Sequence, residues 1–397
     1  MNNITNFDDY VEANQFLSED NYQEPHVSLI KDHYKIEYNP RTDYKKQYFT
    51  IEALTDGQIY FTNSTSSPSK IIYYSKNNGQ WTELGSSFPN GTSLFFKAGD
   101  IIRFKGDNQG YGNATSSDSK NTCFNTDSGK YNVYGNIMSL INSTDFENLT
   151  ALPANNCFNG FFENCEGLTN ANNLILPATT LTQYCYSNMF KGCTGLISAP
   201  QLPAMNLAFY CYRWMFHNCS SLEYAPLLPA FSINTTGVYD QMFEGCSKLK
   251  YVKCMSLNLP STTGCYYWMD QIPSTGTFVK NALATYSHTY GASALPRGWT
   301  FKKEYPKHCK LTATTSALDV NRQLYDWFLY AYENGTIKYN NKDVIVYLEE
   351  YDNASEMTCR TIQYINGVPN YVPICVITRQ GSSYTCNTNV TLDLYLT

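Results

Sequence analysis

The apolar and polar positions of residues 185–204 recur, almost in full, in residues 211–230 of the same chain. The first stretch reads CYSNMFKGCTGLISAPQLPA and the second reads CYRWMFHNCSSLEYAPLLPA. A phenylalanine column continues this register in both directions, with successive spacings of 28, 26 and 27 residues, at Phe162, Phe190, Phe216 and Phe243. A period of this length indicates stacked structural repeats, each of which buries its apolar face against its neighbours.

Within each repeat the apolar residues follow helical spacing. Cys185, Met189 and Cys193 lie four residues apart, as expected for the buried stripe of a helix. The segment that follows carries prolines, which favour short extended stretches. The repeats therefore predict a solenoid of short helices and strands. Asp270 is predicted to take the phenylalanine position of a fifth, terminal copy.

The 14 cysteines of the chain have two possible explanations. A metal site needs cysteine or histidine ligands at close spacing, and the sequence contains no such cluster. A role in the core needs only a small buried group, and Val238 takes the place that Cys185 and Cys211 hold in other repeats. We therefore expect buried thiols, with no metal and no cofactor.

The pattern CYxxMFxxCxxLxxAPxLPA resembles the BspA-type (treponemal) leucine-rich repeats of bacterial surface proteins and of phages that infect gut bacteria. The resemblance covers roughly residues 146–300, and the stretch that begins TGTFVKNALATYSHTYG resembles the terminal cap of such arrays. It implies a leucine-rich-repeat solenoid and a role in adhesion. It implies no catalytic residues, because the family has none in common.

Upstream of the repeats the apolar period changes from that of a helix to that of a strand. Segments such as YFTIEAL and SLFFKAGDIIRFKG alternate apolar and polar residues, and Asn78-Gly79 is a hairpin signal between two such segments. Residues 48–142 are therefore predicted to form a small antiparallel, sandwich-like β-domain. Its glycine-bearing stretch from Gly106 to Thr122 is predicted to be a flexible surface loop.

The first 47 residues are too few to bury a core of their own. Four apolar residues fit one side of a short helix, namely Phe7, Tyr10, Val11 and Leu17. Two short strands follow, with Val27 and Leu29 in the first. The run from Ile4 to Pro40 resembles the N-terminal segments of virion proteins of crAss-like phages, which implies an anchor to other virion proteins. The alternative is an ordinary N-terminal extension.

The segment from 301 to 397 has a different pattern again. One helical face ends at Asn334-Gly335, and four strand-like stretches follow it, so an α+β domain is predicted. The helical face consists of Leu318, Leu324, Trp327, Phe328 and Ala331.

Charge and composition narrow the classes of function. The net charge of −6 and the lack of a lysine- or arginine-rich run argue against nucleic acid as a partner. No stretch approaches the length of about 18 apolar residues that a membrane helix needs, and the acidic start MNNITNFDDYVEANQF does not have the basic and apolar pattern expected of a secretion leader. We therefore expect no membrane insertion, and assembly in the host cytoplasm.

Catalytic motifs do not stand out. The five histidines lie in separate segments, and Glu349 and Glu350, as neighbours in a strand, point to opposite faces. We expect no enzyme activity. A capsule-degrading glycosidase is an alternative, because its two carboxylates need not be close in sequence.

Aromatic residues supply the candidate binding surface. Trp214 and Trp268 occupy a repeat position that elsewhere holds small or polar residues. They are predicted to be exposed on one edge, about 10 Å apart at a strand spacing of roughly 4.8 Å per repeat. Tyr184 and Tyr210 form a second such column. These four residues are predicted to contact a host surface glycan or protein; alternatively they fill the edge of the array or a subunit contact.

These patterns predict a multidomain chain in four parts: an anchor at 1–47, the β-domain at 48–142, the leucine-rich repeats with their caps at 143–300 and the α+β domain at 301–397. The predicted function is that of a phage virion protein, in a head or tail fibre or a decoration, that forms homo-oligomers and binds host surface material. A bacterial surface adhesin is the first alternative.

Overall fold

The computed structural model of the protein describes residues 25–30, 33–38, 43–62, 70–84, 93–112, 123–260, 263–284, 286, 293, 295–305, 308–334, 337–339, 342–351, 354–365 and 368–396. These residues fall into two compact units. The first extends to residue 279 and includes the described part of 287–301, and the second comprises 280–286 and the chain from 302 onward.

Near the N-terminus, β1 (Pro25–Ile30) and β2 (His33–Tyr38) form an antiparallel hairpin of two strands. The two strands predicted for this segment are thus present, and Val27 lies opposite Ile36 in their register. The residues of the predicted preceding helix lie outside the described residues, namely Phe7, Tyr10, Val11 and Leu17.

Among the described residues nine strands follow, and the last of them lies within the first repeat. They are β3 (Phe49–Ala53), β4 (Gly57–Thr62), β5 (Ile72–Lys76), β6 (Thr82–Leu84), β7 (Leu94–Phe96), β8 (Ile101–Gly106), β9 (Cys123–Ser128), β10 (Tyr131–Asn136) and β11 (Leu168–Ile175). They form a six-stranded sheet of order β11-β10-β3-β8-β5-β6 and a three-stranded sheet of order β7-β4-β9. Pairing is antiparallel except between β10 and β11, which are parallel. Alternate residues of β8 are buried, because one face of its sheet covers the core.

Part of the stretch from Gly106 to Gly112 packs into the core, since Gly106, Gly110 and Tyr111 are buried while Asp107 and Gln109 are exposed, so the prediction of a flexible surface loop is wrong for the buried residues. Tyr111 is fully buried, its hydroxyl donates to the carbonyl of Leu140 at 3.0 Å, and its N–H donates to the carbonyl of Cys157 at 2.6 Å. At Gly112 an added Cβ would lie 1.8 Å from the Asn156 carbonyl oxygen, so this close approach requires glycine. Residues 113–122 lie outside the described residues.

The predicted leucine-rich-repeat solenoid is wrong. The described regular structure is mostly β-strand in several sheets, and its one α-helix lies outside the repeats, at 318–334. Every fourth residue of the predicted repeat helices has a left-handed backbone, with φ between +50° and +75°. The first column of such residues is Asn156, Tyr184, Tyr210 and Gly237; the second is Gly160, Asn188, Trp214, Gln241 and Tyr267; the third is Asn164, Gly192, Asn218, Gly245 and Gln271. A left-handed residue at every fourth position is incompatible with an α-helix.

Two alternating sets of backbone hydrogen bonds replace the helix. The N–H groups of Phe158, Gly160 and Phe162 donate to carbonyls of the next copy, each at 2.8 Å. The residues between them donate within their own copy to the residue three positions back, as Phe161 does to Phe158 at 3.3 Å. The resulting chain of turns has a period of four residues. It therefore buries the same positions, four apart, that a helix would bury.

Two columns of aromatic rings run through the core of the repeats. The first column is Tyr111, Phe158, Tyr186, Tyr212, Tyr239 and Trp268, with ring centroids 5.8 to 6.2 Å apart. The second is Phe124, Phe162, Phe190, Phe216 and Phe243, with centroids 5.3 to 5.8 Å apart. Each column begins upstream of the repeats, at Tyr111 or Phe124, so the β-sheet core continues into the repeats without a break.

The fifth copy is displaced by one residue from the predicted register. The N–H of Phe243 donates to the carbonyl of Trp268 at 2.9 Å, just as the N–H of Phe216 donates to that of Met242 at 3.0 Å. Met269, and not Asp270, therefore follows Phe243 in the phenylalanine column.

The prediction that the repeat cysteines lie in the core is confirmed, since Cys185, Cys193 and Cys219 have no solvent exposure. The Sγ–H of Cys193 donates to the carbonyl of Phe162 at 3.1 Å, in the preceding copy. Its column repeats this contact, with Sγ to carbonyl distances of 3.1 to 3.2 Å, at Cys165, Cys219 and Cys246. Burial raises the pKa of Cys193 and of Cys219 well above the ordinary value of a thiol, and it raises the pKa of Cys246 to about 12.

At the end of the repeats, β12 (Tyr251–Cys254), which precedes the fifth copy, forms a three-stranded sheet with β13 (Thr277–Asn281) and β14 (Thr300–Glu304), in this order. Trp299 lies just before β14, and its indole N–H donates to the carbonyl of Pro273 at 2.8 Å. The division between the two compact units falls within β13 and β14.

The rest of the chain forms a seven-stranded sheet with a helix. Its elements are β15 (His308–Ala313), α1 (Leu318–Asn334), β16 (Ile337–Tyr339), β17 (Lys342–Tyr351), β18 (Ala354–Ile365), β19 (Val368–Gln380), β20 (Ser383–Cys386) and β21 (Val390–Leu396). The sheet order is β15-β21-β16-β17-β18-β19-β20. Four residues of the predicted helical face are fully buried, namely Leu324, Trp327, Phe328 and Ala331, whereas Leu318 is half exposed.

Candidate functional site

Four of the left-handed positions in the repeats hold aromatic residues, where the other copies hold glycine, asparagine or glutamine. They are Tyr184, Tyr210, Trp214 and Tyr267, with φ between +50° and +57°. A bulky side chain disfavours this conformation by about 1 kcal/mol or more, while glycine and asparagine adopt it readily. Strained positions of this kind concentrate at functional sites. Three of these four residues lie close together, with Phe209 and Arg213, on a surface that we name the aromatic edge: Tyr184, Phe209, Tyr210, Arg213 and Trp214.

The rings of Tyr184 and Tyr210 form the first half of the aromatic edge. They stack with centroids 5.2 Å apart and 21° between their planes. Phe209 packs edge-on against both, at 5.5 Å from Tyr184 and 4.2 Å from Tyr210. Gly237 makes room for this arrangement, because a Cβ there would lie 2.0 Å from the Tyr210 ring. All three rings are half-buried, so part of each faces solvent.

Trp214 and two cations form the second half. The guanidinium carbon of Arg213 lies 3.7 Å from the centroid of the Trp214 ring and 4.8 Å from that of Tyr210. The ammonium of Lys191 lies 5.1 Å from the Trp214 centroid. Such distances give favourable cation–π contacts. The Trp214 ring thus stabilises the positive charges of Arg213 and Lys191 at the surface of the repeats.

The two acidic neighbours of these cations have different partners. Glu163 forms an ion pair with Lys191 at 3.0 Å, and Asp240 accepts the Tyr266 N–H at 2.8 Å. Burial raises the pKa of Asp240, although the charge of Arg213 acts in the opposite direction. Arg213 forms no ion pair with any carboxylate in the described part of the chain.

Trp268 lies in a different place from the one predicted for it. It is fully buried, 6.2 Å from the ring of Tyr239 and 6.0 Å from that of Phe278. The prediction that Trp214 and Trp268 project from one edge is therefore wrong. The one-residue shift of the fifth copy is the cause, because it places Tyr267 in the column of Trp214 and turns Trp268 into the core.

The other predicted site residues are distributed as follows. Tyr184 and Tyr210 stack on each other, and Arg213 contacts the rings of both Tyr210 and Trp214. Val27 and Leu29 lie in β1. The sequence prediction missed Arg213, although it directly precedes Trp214 and follows Tyr210 by three residues, a spacing that brings it near both rings.

A second candidate is an open cavity of about 500 Å³ beside β4 and β7. Lys97 and Asp56 line it and pair with each other at 2.7 Å, and Lys76 pairs with Asp100 at 2.6 Å. Phe95 at its rim is 69% exposed. Because its charged groups already satisfy one another, this cavity offers a ligand fewer free polar contacts than the aromatic edge does.

Among the residues that the structure describes, no group of three or more His, Cys, Asp or Glu side chains is arranged to hold a metal ion. Within the same residues, no helix has the length and apolar character needed to cross a membrane.

Comparison with protein-family models, with curated proteins and with solved structures finds no match to this chain.

Proposed function

We propose that this chain is a non-catalytic structural protein of a bacteriophage virion, in a fibre or a decoration, that binds host surface material. The observation that carries the proposal is the aromatic edge. It places tyrosine and tryptophan at left-handed positions where the other copies use residues that tolerate this backbone better. Half-buried tyrosine and tryptophan combine apolar area with a polar atom, and both are common in binding surfaces.

The rigidity of the repeats also supports a binding role. Hydrogen bonds join successive copies, and stacked rings lie beneath the surface, as in Phe190 and Phe216 at 5.5 Å with 3° between planes. Side chains held on such a framework lose little conformational freedom when a ligand binds, which favours affinity.

The N-terminal segment is proposed to attach the chain to other virion proteins. The hairpin of β1 and β2 is a separate two-stranded sheet, and neither strand pairs with another described strand. Two strands are marginally stable alone, so a partner would stabilise this segment. A second copy of the chain, in a homo-oligomer, is the partner expected besides other virion proteins.

The test of this proposal removes residues 1–42. The cut precedes Asp43, whose side chain accepts the Lys45 N–H at 3.1 Å, and it spares Tyr44, which packs on Tyr134 at 5.5 Å. We expect a thermal transition close to that of the full chain and loss of the protein from purified particles. Mass spectrometry of the particles measures the copy number, with the full chain produced in parallel as the control.

Two results would contradict the proposal. If the full chain is missing from purified particles and is found on a bacterial cell envelope, the chain is an adhesin. If the truncated chain enters particles at the normal copy number, the N-terminal segment is not the anchor.

A further inference from the structure

The ring of Trp214 is already covered by cations. Arg213 lies at stacking distance, 3.7 Å, and the Lys191 ammonium lies 5.1 Å from the same centroid. A sugar that stacks on an indole needs a free ring face. Trp214 is thus better suited to hold Arg213 than to receive the apolar face of a sugar.

Contacts of its side chain and backbone hold Arg213 in a position from which it can bind a ligand. Its guanidinium lies over both Tyr210 and Trp214, and its backbone is fixed by hydrogen bonds, since its carbonyl accepts the N–H of Asn188 at 2.8 Å and the hydroxyl of Ser187 at 3.1 Å. Stacking on rings occupies the faces of a guanidinium and leaves the N–H groups at its edge available. These N–H groups form a planar fork that matches a carboxylate.

One positive charge at this point lacks a direct ion pair, although the Asp240 carboxylate lies near enough to attract it. Lys191 is neutralised by Glu163, and Asp240 is half-buried with one oxygen bonded to the Tyr266 N–H. Arg213 is therefore the charged group of the edge that has no ion-pair partner among the described carboxylates. A ligand carboxylate would supply that partner.

We propose that the aromatic edge binds an acidic polysaccharide of the host surface, with Arg213 receiving the carboxylate of a uronic or sialic acid residue. Tyr184 and Tyr210 contact the neighbouring sugars. This inference rests on the proposed function and names the ligand class of the same site.

The test compares acidic polysaccharides with their own carboxyl-reduced forms. Polygalacturonate, polyglucuronate and polysialic acid are immobilised, each beside a sample whose carboxylates have been reduced to primary alcohols. Binding of the full chain is measured by biolayer interferometry. We expect at least one acidic polymer to bind, and its reduced form to bind at least tenfold more weakly.

Three variants assign the effect to Arg213. Arg213→Gln removes the charge, and Arg213→Lys keeps the charge but loses the planar fork. Both should weaken binding to the acidic polymer at least tenfold, whereas a pure charge effect would spare Arg213→Lys. Arg297→Gln removes an exposed positive charge elsewhere and should bind as the parent does. The thermal transition of each variant is measured to exclude unfolding.

The outcomes separate the two proposals. Binding to host cells without preference for acidic over reduced polymers overturns the inference and leaves the proposed function standing. Binding to no acidic polymer also overturns the inference. If the parent chain itself does not bind host cells, the proposed function is overturned.

Discussion

The indole of Trp268 stacks on the phenol ring of Tyr239, with centroids 6.2 Å apart and 27° between the planes. This contact ends the longer aromatic column of the core, which begins at Tyr111. Trp268 also packs against Phe278 at 6.0 Å, so it lies inside the apolar core, where it stabilises the fold.

Replacement of Trp268 by alanine should lower the free energy of unfolding by roughly 3–5 kcal/mol, because it leaves a large cavity at the end of the column. Trp214→Asn should cost less than about 1 kcal/mol, because Trp214 is half-buried and asparagine tolerates the left-handed backbone found there. Urea denaturation of both variants measures the difference. Equal losses of stability would mean that Trp214 belongs to the core or that Trp268 does not.

Valine should be tolerated at Cys185 better than at Cys193. Val238 already stands in the column of Cys185, whereas Cys193 donates its Sγ–H to the carbonyl of Phe162 at 3.1 Å. Cys193→Val should therefore lower the free energy of unfolding by about 1 kcal/mol more than Cys185→Val does. If the two variants lose the same stability in urea, the thiol hydrogen bond contributes nothing.

The stability of the protein should decrease as the pH rises above about 9. Burial raises the pKa of Cys211 and of Cys246 from 9.0 to about 12. Between these values the unfolded chain loses thiol protons that the folded chain keeps, so the folded state binds more protons. The contribution of these thiols to the free energy of unfolding is thus fully present below pH 9. It declines up to about pH 12, by roughly 1 kcal/mol per pH unit for each thiol.

Urea denaturation at several pH values measures this slope. Cys211→Val serves as the control, because removing one buried thiol should make the decline less steep. A free energy of unfolding that stays constant or increases over this range would contradict the burial of these thiols.

The buried positions of the repeats could be predicted from the sequence, but their backbone could not. Cys185, Met189 and Cys193 are buried, as their spacing indicates. A helix of 3.6 residues per turn and a chain of turns with a period of four bury nearly the same positions over two turns. Residues that favour a left-handed backbone, such as Asn188 and Gly192, are the feature of the sequence that distinguishes the chain of turns from a helix.

The aromatic edge could be predicted only in part, for a similar reason. Tyr184, Tyr210 and Trp214 were identified because they break the small or polar pattern of their columns. Trp268 was misassigned because the last copy follows after 26 residues, at Met269, and not after the predicted 27, and the side-chain direction changes with such a shift. The stacking of Arg213 on two rings depends on turn geometry that spacing alone does not specify.

The binding of purified protein to host cells, measured as a Kd by flow cytometry, is the deciding measurement. We expect Tyr210→Ala combined with Trp214→Asn to weaken binding at least tenfold, which is about 1.4 kcal/mol, with little change in thermal stability. Trp81→Ala is the matched control, since Trp81 is also half-buried beneath cations, with Lys105 at 4.6 Å, but lies outside the edge. Undiminished binding by the double variant, or an equal loss in the Trp81 variant, would contradict a binding role for the aromatic edge.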